Sequence, residues 1–202
     1  MPTETVWMAP VGALLLGYLL GSIPFGVLLT RAFGAGDLRQ IGSGNIGATN
    51  VLRTGHKGLA AATLLLDLAK GYVAVVLARH LFPGDELLAA ATVFIGHCYP
   101  AWLKFRGGKG VATLMGIVLA IHWPCGLIFA VVWLGLLASL RISSVAGIAA
   151  AFSAPLSAAL FGRLDAVVLL LALLLIVVWK HRGNIERLLD GTEPRVGGEA
   201  RG

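Results

Sequence analysis

The residues best suited to bind anions lie in three short segments of the chain. In the first, residues 43–53, glycine, asparagine and hydroxyl side chains are dense and stand just before a predicted helix. Backbone N–H groups at such a place, aided by the helix dipole, can bind phosphate, and an arginine can add a bidentate contact. The alternative is a flexible turn between two helices. The candidate residues are Ser43, Gly44, Asn45, Gly47, Thr49, Asn50 and Arg53.

The second segment is glycine-rich and surrounds a single lysine. Gly107, Gly108, Lys109 and Gly110 come immediately before an apolar run, so they offer backbone amides beside a cation. The sequence does not fit a Walker loop, because the glycine spacing before the lysine is wrong and no Ser or Thr follows it directly. ATP binding is therefore not indicated. Alternatively, the lysine and its basic neighbours only fix the topology and face anionic lipid.

The third segment, residues 181–193, follows the last long apolar run. His181 and Asn184 are three residues apart, which places them on one face if the helix continues. The alternative is an amphipathic helix that lies at the membrane surface and carries no catalytic group. His97, farther back in the chain, is interpreted as a packed histidine near the membrane interface.

Two ionisable residues, Asp67 and Lys70, stand inside an apolar run at i, i+3 spacing. Charged side chains at that depth are costly, face a bundle interior and are often paired. We interpret them as a structural ion pair rather than as groups that react.

The elements that must position these segments are membrane helices. Of the 202 residues, 57% are hydrophobic and another 27 are glycine, whereas only 13% are charged. A soluble domain has about 45–50% apolar residues with glycine included and about 25% charged residues, so this composition excludes a soluble domain, a disordered chain and a nucleic-acid-binding arm. Two cysteines are too few for a disulfide framework or a cysteine-based zinc site.

The hydropathy pattern predicts an all-α integral membrane protein with about seven transmembrane helices. A span needs about 20 apolar residues, and the first run is too long for a signal peptide. His122, Trp123 and Pro124 interrupt the longest run, which we therefore read as two short helices. These two are the weakest spans, since each is short for a full crossing. The predicted spans are 7–30, 58–78, 87–103, 111–121, 125–140, 145–161 and 166–179.

The distribution of basic residues predicts the orientation. Lysine and arginine in short loops favour the cytoplasmic side, and seven crossings place 13 of the 16 basic residues on one side. The N-terminus is then outside, the C-terminus is cytoplasmic, and all three polar segments lie at the cytoplasmic face. The basic residues on that face are Arg31, Arg39, Arg53, Lys57, Lys104, Arg106, Lys109, Arg141, Lys180, Arg182, Arg187, Arg195 and Arg201.

Taken together, the three segments resemble one family, the bacterial acyl-phosphate-dependent glycerol-3-phosphate acyltransferases known as the PlsY family. The likeness runs from the string Gly21, Ser22, Ile23, Pro24 to Glu193, and the three motifs occur in the family's order. The first motif implies functional roles for Ser43 and Arg53, and the second implies a phosphate-binding loop over residues 107–113. The third implies that His181 and Asn184 serve activity and that Glu193 serves the structure; Asp67 and Lys70 also fit the family pattern.

The resemblance implies that a fatty acyl phosphate acylates the 1-hydroxyl of glycerol 3-phosphate, giving 1-acylglycerol 3-phosphate and phosphate. The acyl phosphate is already activated, so positioning and electrostatic stabilisation can supply much of the acceleration without a metal or cofactor. The expected location is the bacterial cytoplasmic (inner) membrane, among membrane lipids. Whether the soluble enzyme that forms acyl phosphate docks here is left open.

The predicted site divides by substrate. Residues 44–50 and Lys109 hold the acyl phosphate headgroup, while Ser43, Arg53, His181 and Asn184 hold glycerol 3-phosphate. His181 is the only nearby residue of a type whose unperturbed pKa suits proton transfer, although the substrate phosphate could itself accept the proton. The acyl chain lies between helices, where Ala149, Ala150, Ala151, Ser153 and Ala154 either leave room for it or permit close packing.

Two other classes of function compete with the acyltransferase. A transporter for a small anion would place its polar residues at the bilayer midplane, whereas here they gather at one face; a structural subunit would need no anion-binding loops. We expect one catalytic domain over residues 1–193 and a flexible tail over 194–202.

Overall fold

The computed structural model describes residues 7–197, which form helices, turns and loops without a β-strand. The predicted tail beyond residue 197, with Arg201, lies outside the described residues. By chain contacts the protein divides into two compact units, Met1–Ile121 and His122–Gly202. The helices of the described residues are α1 (Met8–Gly21), α2 (Phe25–Ala32), α3 (Ala48–Leu52), α4 (Lys57–Leu81), α5 (Glu86–Cys98), α6 (Val111–Ile121), α7 (Trp123–Leu140), α8 (Ser143–Leu160), α9 (Leu164–Lys180) and α10 (Arg182–Leu189).

Four helical segments in the described part of the chain are long and apolar enough to cross a membrane. They are Met8–Ala32, Lys57–Leu81, Trp123–Leu140 and Ser143–Leu160, and Leu164–Lys180 with Arg182–Leu189 makes a fifth if this pair, bent by 56°, counts as one span. The prediction of an all-α membrane protein is confirmed. Seven crossings and the N-out orientation stay predictions.

The break that Pro124 predicts is present, since α6 ends at Ile121 and α7 begins at Trp123 with the proline in its first turn. Two predicted spans differ from the structure, the first in its continuity and the third in its extent. The first, 7–30, is interrupted between α1 and α2 at Ser22, Ile23 and Pro24, because proline lacks the N–H that would continue the helix. The third ends at Cys98 rather than at residue 103, because Pro100 disfavours helical backbone in the residue before it.

In the first unit, glycines let two pairs of helices approach closely. A Cβ on Gly17 or Gly21 of α1 would overlap backbone atoms of α5, and a Cβ on Gly116 of α6 would overlap the Leu68 carbonyl oxygen of α4. Such backbone approach is how membrane helices associate where lipid removes the hydrophobic driving force.

The turn after α5 is fixed to the end of α1. The Tyr18 hydroxyl donates to the Tyr99 carbonyl and accepts from the Ala101 amide, both at 3.0 Å. The Trp102 indole donates to the Ser22 carbonyl at 2.7 Å. This turn leads directly into the glycine-rich segment.

In the second unit, α7, α8 and α9 follow one another with short connections. Ala150, Ala151 and Ala154 of α8 are fully buried, which is the close packing expected of small residues. On the same helix Ala149 and Ser153 line an apolar groove of about 540 Å³ together with Phe152, Leu171 and Leu174.

Candidate active site

In the first polar segment, Asn50 holds the loop together from inside. Its side chain is buried and donates to the carbonyl oxygens of Leu38 and Ile41, both at 2.9 Å. Its oxygen accepts from the Ser43 amide at 3.2 Å and from an Arg53 guanidinium N–H at 3.5 Å. Both amide donors of Asn50 are thus engaged within the protein.

Several amides expected to be bare are also engaged. The Gly44 amide donates to the Ile41 carbonyl at 3.0 Å, and the Gly47 amide donates to the Asn45 side-chain oxygen at 3.1 Å. Gly44 has a φ of +67°, a left-handed conformation that favours glycine. These contacts give the glycines a conformational role. The side chains of Ser43 and Arg53, by contrast, are exposed, and Thr49 is half-buried.

The glycine loop, defined here as residues 107–110, folds back on the end of α5. The Gly107 amide donates to the Cys98 carbonyl at 3.1 Å, and the Gly108 amide donates to the His97 carbonyl at 3.0 Å. A methyl group on Gly108 would overlap the His97 ring, and one on Gly110 would overlap the Phe94 ring. Lys109 is half-buried between these two packed glycines.

Asp67 and Lys70 meet beside this loop in a buried cluster. The Lys70 ammonium lies 2.6 Å from an Asp67 carboxylate oxygen and donates to the Ile23 carbonyl at 2.8 Å. His97 Nδ1 lies 3.6 Å from the same Asp67 oxygen, which is too long for a hydrogen bond. Nearby on the chain, the buried Thr113 hydroxyl has no hydrogen-bond partner among the described residues.

In the second unit, His181 occupies the bend between α9 and α10 and is buried. The sequence analysis placed His181 and Asn184 on one face of a helix that continues past His181. In the structure the helix bends by 56° there. His181 Nδ1 lies 2.8 Å from the Val177 carbonyl oxygen. A carbonyl oxygen only accepts, so Nδ1 carries the hydrogen and, in the neutral ring, Nε2 is the nitrogen that can take up a proton.

Glu193 joins three elements of the second unit. One carboxylate oxygen accepts from the Ser144 hydroxyl at 2.7 Å and from the Asn184 amide, and the other accepts from Arg187 at 2.7 Å. Burial by itself would raise the pKa of Glu193, but the hydrogen bonds from Asn184, Ser144 and Arg187 outweigh it and lower that pKa. Asn184 is thereby fixed on the first turn of α10.

The sequence did not indicate two residues that support the candidate site, Ser144 and Arg187, which bind Glu193. His97, interpreted from the sequence as a packed histidine, is buried and lies against the glycine loop. Arg187 could have been found, because it lies three residues after Asn184 on the same helix. Ser144 could not, because its contact with Glu193 spans 49 residues. Within residues 7–197 no three His, Cys, Asp or Glu side chains are grouped as metal ligands.

An all-α membrane protein with an arginine and a lysine in glycine-rich turns has the features of a membrane enzyme that acts on phosphorylated substrates. Comparison with known proteins makes this specific. The family model described as glycerol-3-phosphate acyltransferase matches residues 11–191. The chain belongs to the glycerol-3-phosphate acyltransferase family.

Similar proteins cover nearly the whole chain. Glycerol-3-phosphate acyltransferase of Erythrobacter litoralis is 57% identical over 93% of this chain and 95% of its own length. The enzyme of Mesorhizobium japonicum is 55% identical, covering 92% and 95%. The protein is therefore an acyltransferase and a multi-pass protein of the bacterial inner membrane.

Two solved structures of PlsY, described as an integral membrane glycerol 3-phosphate acyltransferase, are also similar. The glycerol 3-phosphate form has a TM-score of 0.88 and 36% identity, covering 93% of this chain and 96% of that one. The lysophosphatidic acid form has a TM-score of 0.85 and 35% identity, covering 92% and 94%.

Proposed function

We propose that the protein transfers a fatty acyl group from acyl phosphate to the 1-hydroxyl of glycerol 3-phosphate. The observation that carries this proposal is that the two solved relatives are described with glycerol 3-phosphate and with lysophosphatidic acid. These two molecules differ by one acyl group, so they are the acceptor and the product of a single acylation. A transporter for a small anion would not relate them in this way.

The donor is proposed from its chemistry and from the motif resemblance. In an acyl phosphate the carbonyl carbon is bonded to a phosphate oxygen. Attack by the hydroxyl oxygen of glycerol 3-phosphate forms the ester bond, breaks the carbonyl–phosphate bond and releases phosphate, while the hydroxyl proton passes to a base. The leaving group is good, so the protein needs mainly to orient the reactants and stabilise the developing charge.

The first unit supplies cations and hydroxyl groups for phosphate. We assign Lys109, with Gly107, Gly108 and Gly110, to the donor phosphate, and Ser43 and Arg53 to the acceptor. The exposure of the Ser43 and Arg53 side chains supports this assignment. Because the Gly107 and Gly108 amides are engaged with α5, the lysine side chain carries the main attraction in the glycine loop.

Residues 44–50 are also assigned to the proposed donor site, but some of them shape the loop rather than contact the phosphate. Gly44, Gly47 and Asn50 are engaged in holding the loop, so we assign them to loop shape. Asn45 and Thr49 remain the candidates for side-chain contact with phosphate.

We propose a histidine as the proton-transfer group. We assign His181 to the acceptor hydroxyl, supported by the Nδ1 contact, which makes Nε2 the unprotonated nitrogen of the neutral ring. The alternative acceptor is a substrate phosphate oxygen. Asn184 is a positioning residue on α10, and Glu193 fixes it. No metal or cofactor is part of this proposal.

The apolar groove of the second unit is a candidate place for the fatty acyl chain. It is lined along α9 by Val167, Leu171 and Leu174, and α9 ends just before His181. Leu174 precedes His181 by seven residues, roughly 10 Å along a helix, which is within reach of a long acyl chain.

The test is a phosphate-release assay on detergent-purified protein with palmitoyl phosphate and glycerol 3-phosphate, beside a parallel reaction with palmitoyl-CoA. We expect phosphate release that depends on glycerol 3-phosphate, formation of lysophosphatidic acid and no use of the CoA ester. The purified chain alone should turn over, without the soluble enzyme that forms acyl phosphate. Use of palmitoyl-CoA instead would refute the donor assignment. No turnover in folded protein, with anion flux in sealed vesicles, would favour a transporter.

A further inference from the structure

We propose that Asp67, Lys70 and His97 form a buried positioning cluster that fixes the glycine loop and thereby sets the affinity for the acyl phosphate donor. This inference rests on the proposed function, because it takes Lys109 as the donor's phosphate-binding residue. The cluster then affects the binding of the acyl phosphate donor but not that of glycerol 3-phosphate. A purely structural ion pair would not distinguish between the two substrates.

Stability alone does not account for the cluster. The side chains of Lys70 and Asp67 are 3% and 5% exposed, and that of His97 is 4% exposed. Removing two charges from water carries a large desolvation cost, and a buried pair is often no more stable than apolar residues of the same volume. Stability therefore does not explain why this ion pair is buried, and buried ionisable residues of membrane proteins usually have a function.

The first link of the cluster leads to the break between α1 and α2. Lys70 donates to the carbonyl of Ile23 at 2.8 Å, within the short segment that joins the two helices. The neighbouring Ser22 carbonyl accepts from Trp102, which belongs to the turn that enters the glycine loop. The break is thus held from α4 on one side and from that turn on the other.

The second link leads to the loop itself. The Asp67 oxygen faces His97 Nδ1 at 3.6 Å, and the opposite edge of the ring, at Nε2, lies where a Gly108 Cβ would stand. The His97 carbonyl accepts the Gly108 amide at 3.0 Å. The ring and its backbone therefore determine how closely the loop approaches α5.

Lys109 follows Gly108 directly, so any displacement of the loop moves the lysine. A shift of about 1 Å in a group that positions a substrate can cost about 100-fold in rate. Asp67 acts here through His97 and Gly108, not by contact with the substrate.

The decisive experiment compares two double variants that both remove the ion pair without leaving a buried charge unpaired. Asp67→Asn with Lys70→Met keeps an oxygen facing His97, whereas Asp67→Leu with Lys70→Met does not. We expect the leucine form to raise the KM for palmitoyl phosphate about tenfold above that of the asparagine form, with the KM for glycerol 3-phosphate within about twofold. Equal donor KM values in the two forms would overturn the proposal.

Two further measurements keep the test decisive. Gly108→Ala leaves the charges in place but pushes on the His97 ring, so it should raise the donor KM without changing the acceptor KM; an unchanged donor KM would overturn the proposal even if the leucine form does not fold. The control is Arg163→Gln with Asp165→Asn, which removes a surface ion pair of 2.8 Å and should leave both KM values unchanged.

Hydrogen exchange separates this inference from the proposed function. If the wild-type protein does not use acyl phosphate, the donor assignment fails in the kinetic assay alone. The Gly107 and Gly108 amides should still exchange faster in the leucine form than in the asparagine form, because the His97 ring has lost its anchor. Equal exchange rates would overturn the positioning role.

Discussion

His181 is fixed by its own helix. Nδ1 donates to the Val177 carbonyl one turn earlier, so the ring orientation and the tautomer are set by the fold. Catalytic histidines are commonly prepared in this way, with one nitrogen engaged so that the other is directed at the proton it accepts. Replacing His181 with a residue that has no ring N–H would remove this ring hydrogen bond to Val177.

We expect His181→Ala and His181→Gln both to lower kcat by about 10²–10⁴, with thermal unfolding in detergent used to check that each variant is folded at the assay temperature. Steady-state assays with palmitoyl phosphate measure this, and His80→Gln, an exposed histidine near the end of α4, is the matched control. Near-normal turnover in both His181 variants would leave the substrate phosphate as the proton acceptor.

Glu193 makes the stability of the second unit depend on pH. Its pKa in the folded protein is below the ordinary value of 4.5, so the ionised form contributes stability that is complete above pH 4.5 and is lost as pH falls through the folded pKa. We expect Glu193→Gln to unfold at a lower temperature than the wild type at pH 7, and this difference to shrink as the pH falls below 4.5. Thermal unfolding at pH 7 and at a pH below 4.5 measures this.

The comparison for Glu193 is Glu186→Gln, which alters an exposed carboxylate on the same α10 helix. It should unfold near the wild-type temperature at both pH values. A Glu193→Gln difference that does not shrink on acidification would mean that the charge of Glu193 contributes no stability.

At the scale of single residues, the sequence could locate the candidate residues, but it could not show which of them hold the loop and which are exposed to a substrate. Asn50 has the residue type and spacing of a phosphate ligand, yet its donors hold the carbonyl groups of Leu38 and Ile41. Ser43 and Arg53, in the same motif, have exposed side chains. The backbone conformation of the loop determines which polar side chains are engaged within the protein and which can contact a substrate. The spacing of residues along the sequence does not predict that conformation.

At the scale of helices, the contact of α4 with α6 depends on missing side chains. A Cβ on Gly71 would overlap the Thr113 carbonyl oxygen, and one on Gly116 would overlap the Leu68 carbonyl oxygen. Because α6 has only 11 residues, it offers few other contacts to compensate for a local separation.

We therefore expect Gly116→Ala to destabilise the protein by about 1–3 kcal/mol, the usual cost of overpacking. Gly135→Ala is the matched control, since that helical glycine of α7 has open space around its Cα and alanine should be neutral or stabilising by about 0.5–1 kcal/mol. Urea or thermal unfolding in detergent measures both. Equal stability of the two variants would refute the close approach of α4 and α6.

Helix ends were predictable where proline acts alone. Pro124 gave the break between α6 and α7, and α6 was predicted with the observed bounds. The break at Pro24 was not predicted because the whole run from Met8 to Ala32 is apolar enough for one span, and the break is stabilised by Lys70 from 47 residues away. Such long-range support has no signal in local hydropathy.

For the molecule as a whole, the distribution of basic residues predicts a membrane topology that labelling can test. His56, Pro83 and Asp190 are exposed, and the predicted topology places Pro83 outside and the other two inside. Single Cys substitutions at these positions in intact cells should give labelling by an impermeant maleimide at residue 83 only. The native Cys98 and Cys125 are buried, so background labelling should be low.

Labelling at residues 56 and 190 but not at 83 would reverse the orientation. Labelling at both 83 and 190 would mean an even number of crossings between them, which would exclude the seven-span topology.

The indole of Trp102 gives this protein a natural optical probe. It donates to the Ser22 carbonyl in the turn that enters the glycine loop, and indole emission responds to the loss of such a hydrogen bond and to the polarity around the ring. The other four of the five tryptophans, Trp7, Trp123, Trp133 and Trp179, lie elsewhere in the sequence. Replacing those four with phenylalanine would leave one emitter, through which loop movement could be followed by stopped-flow fluorescence without an attached dye.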